Sequence, residues 1–169
     1  MNANYRKIYE RQASFFKRRP PLLTLLKVLD ICTLVAVVGA YIALCVYTLA
    51  LSEPRFDKKV LWEVCGIPAV CLSIVSFLRG VTKRPRPYEE GIEPLHGTNG
   101  TQNSFPSRHA ASAFVIGGVM IAYMPPLGLA VLLVGLLILY LRFTVGWHYP
   151  SDLLCGAGLG IACSLLVLL

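Results

Sequence analysis

Three short groups of residues in this chain have the types and spacing to do chemistry together. They are Arg79 with Arg86-Pro87, then Pro106-Ser107-Arg108-His109, then Arg142 with His148 and Asp152. His148 precedes Asp152 by four residues, and Pro150 between them suits the first position of a helix, so both side chains can meet on its opening turn. A carboxylate that holds one ring nitrogen fixes the tautomer and raises the nucleophilicity of the other. His148 is therefore the candidate nucleophile, Asp152 its orienting partner, and His109 a second imidazole able to protonate a leaving oxygen. Phosphoryl transfer requires mainly positioning and neutralisation of three equatorial oxygens, which planar guanidinium forks do well; Arg79, Arg86, Arg108 and Arg142 supply them. Glu89, Glu90 and Glu93 share one loop without a partnering His/Asp set, so two-metal chemistry is not expected, and neither a metal nor a cofactor is predicted.

These groups must be held by helices that cross a membrane. A hydrophobic content of 56% and a mean hydropathy of +0.63 exclude an ordinary soluble domain. Five apolar stretches approach the roughly 20 residues a helix needs to span hydrocarbon, at about 22–51, 60–78, 107–124, 127–145 and 151–169. The second contains Pro68, whose freed backbone groups neighbouring helices must satisfy. The third is short. The expected fold is all-α: a multi-pass transmembrane bundle of about five spans over residues 21–169, preceded by a basic amphipathic segment over 1–20. In that segment Tyr5, Ile8, Tyr9, Phe15 and Phe16 recur at helical spacing between cations, which predicts a helix lying in the headgroup layer and ended by Pro20-Pro21. The long polar start argues against a cleaved signal peptide.

Successive spans alternate direction, so the end of the second, the start of the third, the end of the fourth and the start of the fifth share one face. All three groups fall there. Ionisable residues beside hydrocarbon are functional candidates by default, and a cationic pocket that includes two helix N-termini favours an anion. The formal charge of +7 thus reflects membrane and phosphate chemistry rather than nucleic acid. The six cysteines lie inside predicted spans without metal-ligand spacing and read as small buried hydrophobes.

In order and spacing, Arg79-x6-Arg86-Pro87, Pro106-Ser107-Arg108-His109 and Arg142-x5-His148-x3-Asp152 resemble the type 2 phosphatidic acid phosphatase (PAP2) superfamily, which also includes glucose-6-phosphatase and vanadium haloperoxidases. The resemblance covers residues 79–152 by motif and the flanking helices by architecture. It implies that His148 attacks phosphorus, Asp152 orients it, His109 is the general acid, and Arg79, Arg86, Ser107 and Arg142 bind phosphate. Three positions depart from the common pattern: Arg79 replaces the usual lysine, Arg108 the usual glycine before the acid histidine, and Leu141 the usual serine. Arg108 either crowds the backbone approach to phosphate or adds a contact to it.

Taken singly, these residues have ordinary explanations: Arg142 could snorkel, Trp147-His148-Tyr149 could be an interfacial belt, and Ser107 could only cap a helix. Their convergence on one face favours an integral membrane phosphatase acting on a lipid phosphate or lipid pyrophosphate through a phosphohistidine. The alternative is an inactive membrane scaffold or lipid-phosphate binder. His96 matches no motif and reads as a loop residue, and Asn99-Gly100-Thr101 as a turn, within a long 83–105 loop of the kind used for lids. The basic N-terminus and the pocket share a face, which the positive-inside rule places on the cytoplasmic side. The identity of the lipid and the oligomeric state are not legible in the sequence.

Overall fold

The computed structural model describes residues 3–51, 58–98 and 103–169. Its elements are α1 (Ala3–Lys17), α2 (Pro20–Leu51), α3 (Lys58–Leu61), a π-helical turn (Trp62–Gly66), α4 (Ile67–Thr82), a 3-10 turn (Pro87–Glu90), α5 (Arg108–Tyr123), α6 (Pro125–Val145), α7 (Pro150–Ser164) and a final 3-10 turn (Leu165–Leu168). Among the described residues there is no strand. The all-α bundle is as expected, and the Asn99-Gly100-Thr101 turn lies outside the described residues.

Four helical segments are long and apolar enough to cross a membrane: 20–48, the segment beginning at Lys58, 125–145 and 150–168. The third expected span, which becomes α5, has 16 residues, about 24 Å at the usual rise per residue, and occupies the centre of the bundle. Ala110, Ala111, Phe114, Val115, Val119 and Met120 on it are all buried, against α4, α6 and α7. The outer helices do the reverse. Val35 and Ile42 on α2, Phe77 and Val81 on α4, Leu133 on α6 and Leu154 on α7 are exposed, which is the arrangement lipid rather than water selects.

Two local features explain how such a sequence packs. Pro68 has no N–H to give the carbonyl four residues earlier. The chain answers with the π turn, in which Ile67 N–H reaches back to the Trp62 carbonyl, while the Tyr41 hydroxyl of α2 donates to the freed Val64 carbonyl at 3.2 Å. The second feature is close approach of α7 to α5. A Cβ on Gly160 would stand 2.6 Å from the Ala111 carbonyl oxygen, and one on Gly156 2.5 Å from that of Ser107. Small residues one turn apart let two backbones meet in a bilayer, and here they bring the openings of α5 and α7 together.

The helix α1 forms as its periodicity predicts, but its aromatic stripe is divided. Ile8 and Phe15 face outward, whereas Tyr5 and Tyr9 are buried against the protein. The Tyr5 ring lies 5.1 Å from that of Tyr149 and 5.9 Å from that of Phe143. The Tyr9 hydroxyl donates between the carbonyls of Glu93, 2.8 Å, and Val145, 3.2 Å. Gly146 ends α6 with φ of +85°, where a side chain would be strained and would also meet the Tyr9 ring. The helix α1 therefore lies across the ends of α6 and α7. The pair Pro20-Pro21 opens α2 directly after the break that ends α1.

Candidate active site

His148 lies in the four-residue bend between α6 and α7, and its ring is buried although it comes from a connecting segment. Asp152 is buried on the first turn of α7, with Oδ2 3.7 Å from His148 Nδ1. That separation is too long for a direct hydrogen bond. Ser104 fills the gap: its Oγ donates to Asp152 Oδ2 and lies 3.3 Å from His148 Nδ1. A hydroxyl that donates to the carboxylate has only lone pairs to offer the ring, so Nδ1 must carry the proton and Nε2 is left with its electron pair. The carboxylate is held in turn by the Tyr149 backbone N–H at 3.0 Å and by Arg84, whose guanidinium stands 2.7 Å from Oδ1. Arg84 also stacks on the Tyr149 ring, 4.4 Å from its centroid.

The surroundings of His148 are cationic. Burial lowers the affinity of the His148 imidazole for a proton below its ordinary value, opposed by Asp152 and reinforced by the charges of Arg86 and Arg79. The ring is consequently neutral near pH 7. His109, half-buried on the first turn of α5, lies within electrostatic reach of His148, Arg142, Arg108 and Arg86. Arg79, on the last turn of α4, is buried and donates to the Pro106 carbonyl at 3.0 Å, tying the first group to the second. Arg86 is buried at the start of the 3-10 turn, with its backbone N–H on Glu89 at 2.7 Å. Ser107 is buried and caps α5, its Oγ accepting from Ala110 N–H at 3.4 Å. Its own backbone N–H donates to the Asp152 carbonyl at 3.0 Å, so the openings of α5 and α7 are joined directly. Arg108 is exposed beside Arg79 and Arg86, and it makes no ion pair among the described residues.

Arg142 is buried near the end of α6, with its Cζ 4.6 Å from the Trp147 ring centroid and its Nε 3.3 Å from Oδ1 of Asp30. The structure thus links the eight residues singled out from the sequence to one another by direct contact or electrostatic reach, and adds three that the motifs did not indicate. Ser104 carried no signal beyond its position just before Phe105-Pro106. Arg84 shows in the sequence only as one of the cations of the Lys83-Arg84-Pro85-Arg86 turn. Asp30 could have been found, because a carboxylate at the start of a long apolar run requires a partner. His96, a loop residue as expected, stands 3.9 Å from Asp30 and packs edge-on against Trp147.

Comparison with known proteins converges on the same region. The PAP2 superfamily model matches residues 60–169. A lipid A 4'-phosphatase of Bacteroides thetaiotaomicron is 33% identical over 120 residues, 61% of this chain and 53% of that protein. A decaprenylphosphoryl-5-phosphoribose phosphatase of Mycobacterium tuberculosis is 33% identical over 112 residues, 66% of this chain and 60% of that protein. The chain therefore spans between half and two thirds of the length of these curated relatives. Among solved structures, Aquifex aeolicus LpxE superposes with a TM-score of 0.61 at 24% identity, covering 88% of this chain and 93% of the other. A transmembrane PAP2-type phosphatidylglycerolphosphate phosphatase from Bacillus subtilis gives 0.66 at 18% identity, covering 98% and 85%. At these identities the two structures speak to the fold.

Proposed function

This chain belongs to the PAP2 superfamily, and on that premise we propose that it is an integral membrane phosphatase that hydrolyses a lipid phosphate or lipid pyrophosphate through a phosphohistidine. The observation that carries the reading is the buried imidazole of His148, whose Nδ1 faces Ser104 and Asp152, which leaves Nε2 as its nucleophilic nitrogen. In the first step His148 Nε2 attacks phosphorus and the bond to the leaving oxygen breaks. His109, which takes up a proton with the anionic substrate because the phosphate charge offsets the arginines around it, delivers that proton to the leaving oxygen, and the lipid product departs. In the second step His109, now neutral, takes a proton from water as the water oxygen attacks the phosphohistidine; the N–P bond breaks and inorganic phosphate forms. Arg79, Arg86, Arg108 and Arg142, with the Ser107 hydroxyl, neutralise the equatorial oxygens throughout. Asp152 balances the charge that His148 gains while it is phosphorylated.

Each step uses side chains alone, so release of inorganic phosphate by the purified protein is expected to persist in a metal chelator. A panel of phosphatidate, phosphatidylglycerol phosphate and polyprenyl mono- and diphosphates would test this. Loss of all release in chelator, with recovery on adding a divalent cation, would overturn the metal-free reading. Binding of the panel without release would favour an inactive lipid-phosphate binder.

The proposed site opens on the same membrane face as the basic N-terminus, and the packing of α1 over the ends of α6 and α7 supports this. The positive-inside rule then favours the cytoplasm. A single cysteine placed at Asn99 in a background free of native cysteines is expected to resist membrane-impermeant thiol reagents in intact cells and to react after permeabilisation. Labelling from outside would reverse the assignment.

A further inference from the structure

Apart from its phosphate-binding motifs, the chain contains a second buried polar cluster, centred on Asp30. This residue lies on α2, before the region that the family model matches. Most of α2 faces lipid, yet Asp30 is 5% exposed and points inward. One of its oxygens is 3.3 Å from Arg142 Nε, and the other is 3.9 Å from His96 Nε2. Arg142 and His96 also share Trp147, the guanidinium lying over the indole and the imidazole meeting it edge-on at 5.0 Å. The indole is fixed in turn by donating from Nε1 to the Gly97 carbonyl at 3.1 Å. Trp147 is the residue immediately before His148.

We infer that Asp30 is a positioning residue: it holds Arg142 by Nε, so that the two terminal nitrogens of the guanidinium are directed at the substrate phosphate. A guanidinium has donors enough for both tasks, because Nε–H faces away from one of the terminal nitrogens and a phosphate needs only a two-nitrogen edge. The pair is close but off-axis. Asp30 Oδ1, Arg142 Nε and His96 Nε2 are all buried and complete no hydrogen bond among the described residues. Buried polar atoms in that state call for an explanation. Attraction by charge without a locked hydrogen bond leaves Arg142 able to turn, and a phosphate drawn to its terminal nitrogens would swing Nε–H onto the carboxylate. Asp30 also offsets one of four arginine charges that would otherwise repel one another before the substrate arrives. Its position ties the first span and the 92–98 loop to the phosphate pocket.

This inference rests on the phosphatase reading above, and the test separates the two. The purified full chain would be compared as wild type, Asp30→Asn, Asp30→Glu, Arg142→Gln and the Asp30→Asn/Arg142→Gln double variant. Each would be measured for kcat/KM on the preferred lipid phosphate and for thermal stabilisation by orthovanadate, which needs no turnover. Asp30→Asn is expected to lower kcat/KM by about 10- to 100-fold, the range seen when a residue that orients a ligand-binding group is lost, and to weaken vanadate stabilisation. In the Arg142→Gln background the same change is expected to alter either readout by less than about threefold, because the interaction it removes is already gone. Asp30→Glu keeps the charge but displaces it, and is expected to fold with a reduced kcat/KM. The inference is overturned if Asp30→Asn is folded and retains wild-type behaviour, or if its loss is undiminished beside Arg142→Gln. It is also overturned if Asp30→Asn does not fold while Asp30→Glu matches wild type. Wild-type protein that binds vanadate without hydrolysing any lipid would defeat the phosphatase reading alone, and the vanadate arm would still decide the role of Asp30.

Discussion

Replacing His148 with alanine is expected to lower kcat by about five to six orders of magnitude, as the loss of a nucleophile does where neighbouring groups act as a unit. The arginines that would hold phosphate come from other elements, so substrate affinity should change little, and the loss should appear in kcat rather than in KM. Wild-type enzyme quenched during turnover of a 32P-labelled lipid phosphate should carry an acid-labile, base-stable phosphoryl group that is absent from the variant. The pH dependence has a definite sign. In the proposed mechanism the reactive form of His148 is the neutral one, and burial pushes the ring's proton affinity down, so that form survives below the ordinary imidazole range. The acid limb of kcat/KM assigned to His148 should therefore fall below about pH 6.5, the unperturbed value. Normal turnover in purified His148→Ala protein, or a phosphoryl adduct that persists in it, would remove the covalent mechanism.

The bundle was legible because lipid imposes a coarse rule, namely long apolar runs bounded by charge and proline, and that rule does not depend on detail. It failed to distinguish α5 from its neighbours for the same reason. A helix that is apolar all round reads the same whether lipid or other helices surround it, and only the glycines at 156 and 160 hint that α7 closes on α5. The motif residues were legible because their chemical types are costly beside hydrocarbon. Ser104 was not, since a serine in a polar loop costs nothing and its importance arises only when the 103–107 segment folds under His148. The N-terminal segment shows the intermediate case. Periodicity correctly gave a helix, but Tyr5 and Tyr9 could serve a headgroup layer or a protein surface equally well, and tertiary packing claimed them. Asp30 was legible in principle, because a lone carboxylate near hydrocarbon always implies a partner, but nothing in the sequence says that the partner is Arg142.

Asp152→Asn is expected to reduce kcat by about four orders of magnitude while leaving KM nearly unchanged, as removal of an orienting carboxylate does in a nucleophile–histidine–aspartate array. The asparagine is nearly isosteric, and the Tyr149 N–H, 3.0 Å from Oδ2, will keep an amide carbonyl at that position and turn the NH2 toward Arg84. This orientation sets a donor against the guanidinium that now lies 2.7 Å from Oδ1, so the Arg84 ion pair is lost as well. More important, the negative charge that would balance a phosphorylated imidazolium disappears from a pocket already crowded with arginines. Ser104→Ala makes a sharper comparison. It removes the hydroxyl between the two groups but leaves the charge, and the ring needs to move less than 1 Å along the 3.7 Å gap to bond the carboxylate directly. Its cost should therefore be about 10- to 100-fold, in line with the loss of an outer orienting partner. Steady-state kinetics of both variants, with thermal inactivation in detergent to verify folding, would rank them. If Ser104→Ala proved the more damaging, the hydroxyl rather than the carboxylate would be the group that governs His148, and the proposed division of labour around the imidazole would have to be reversed.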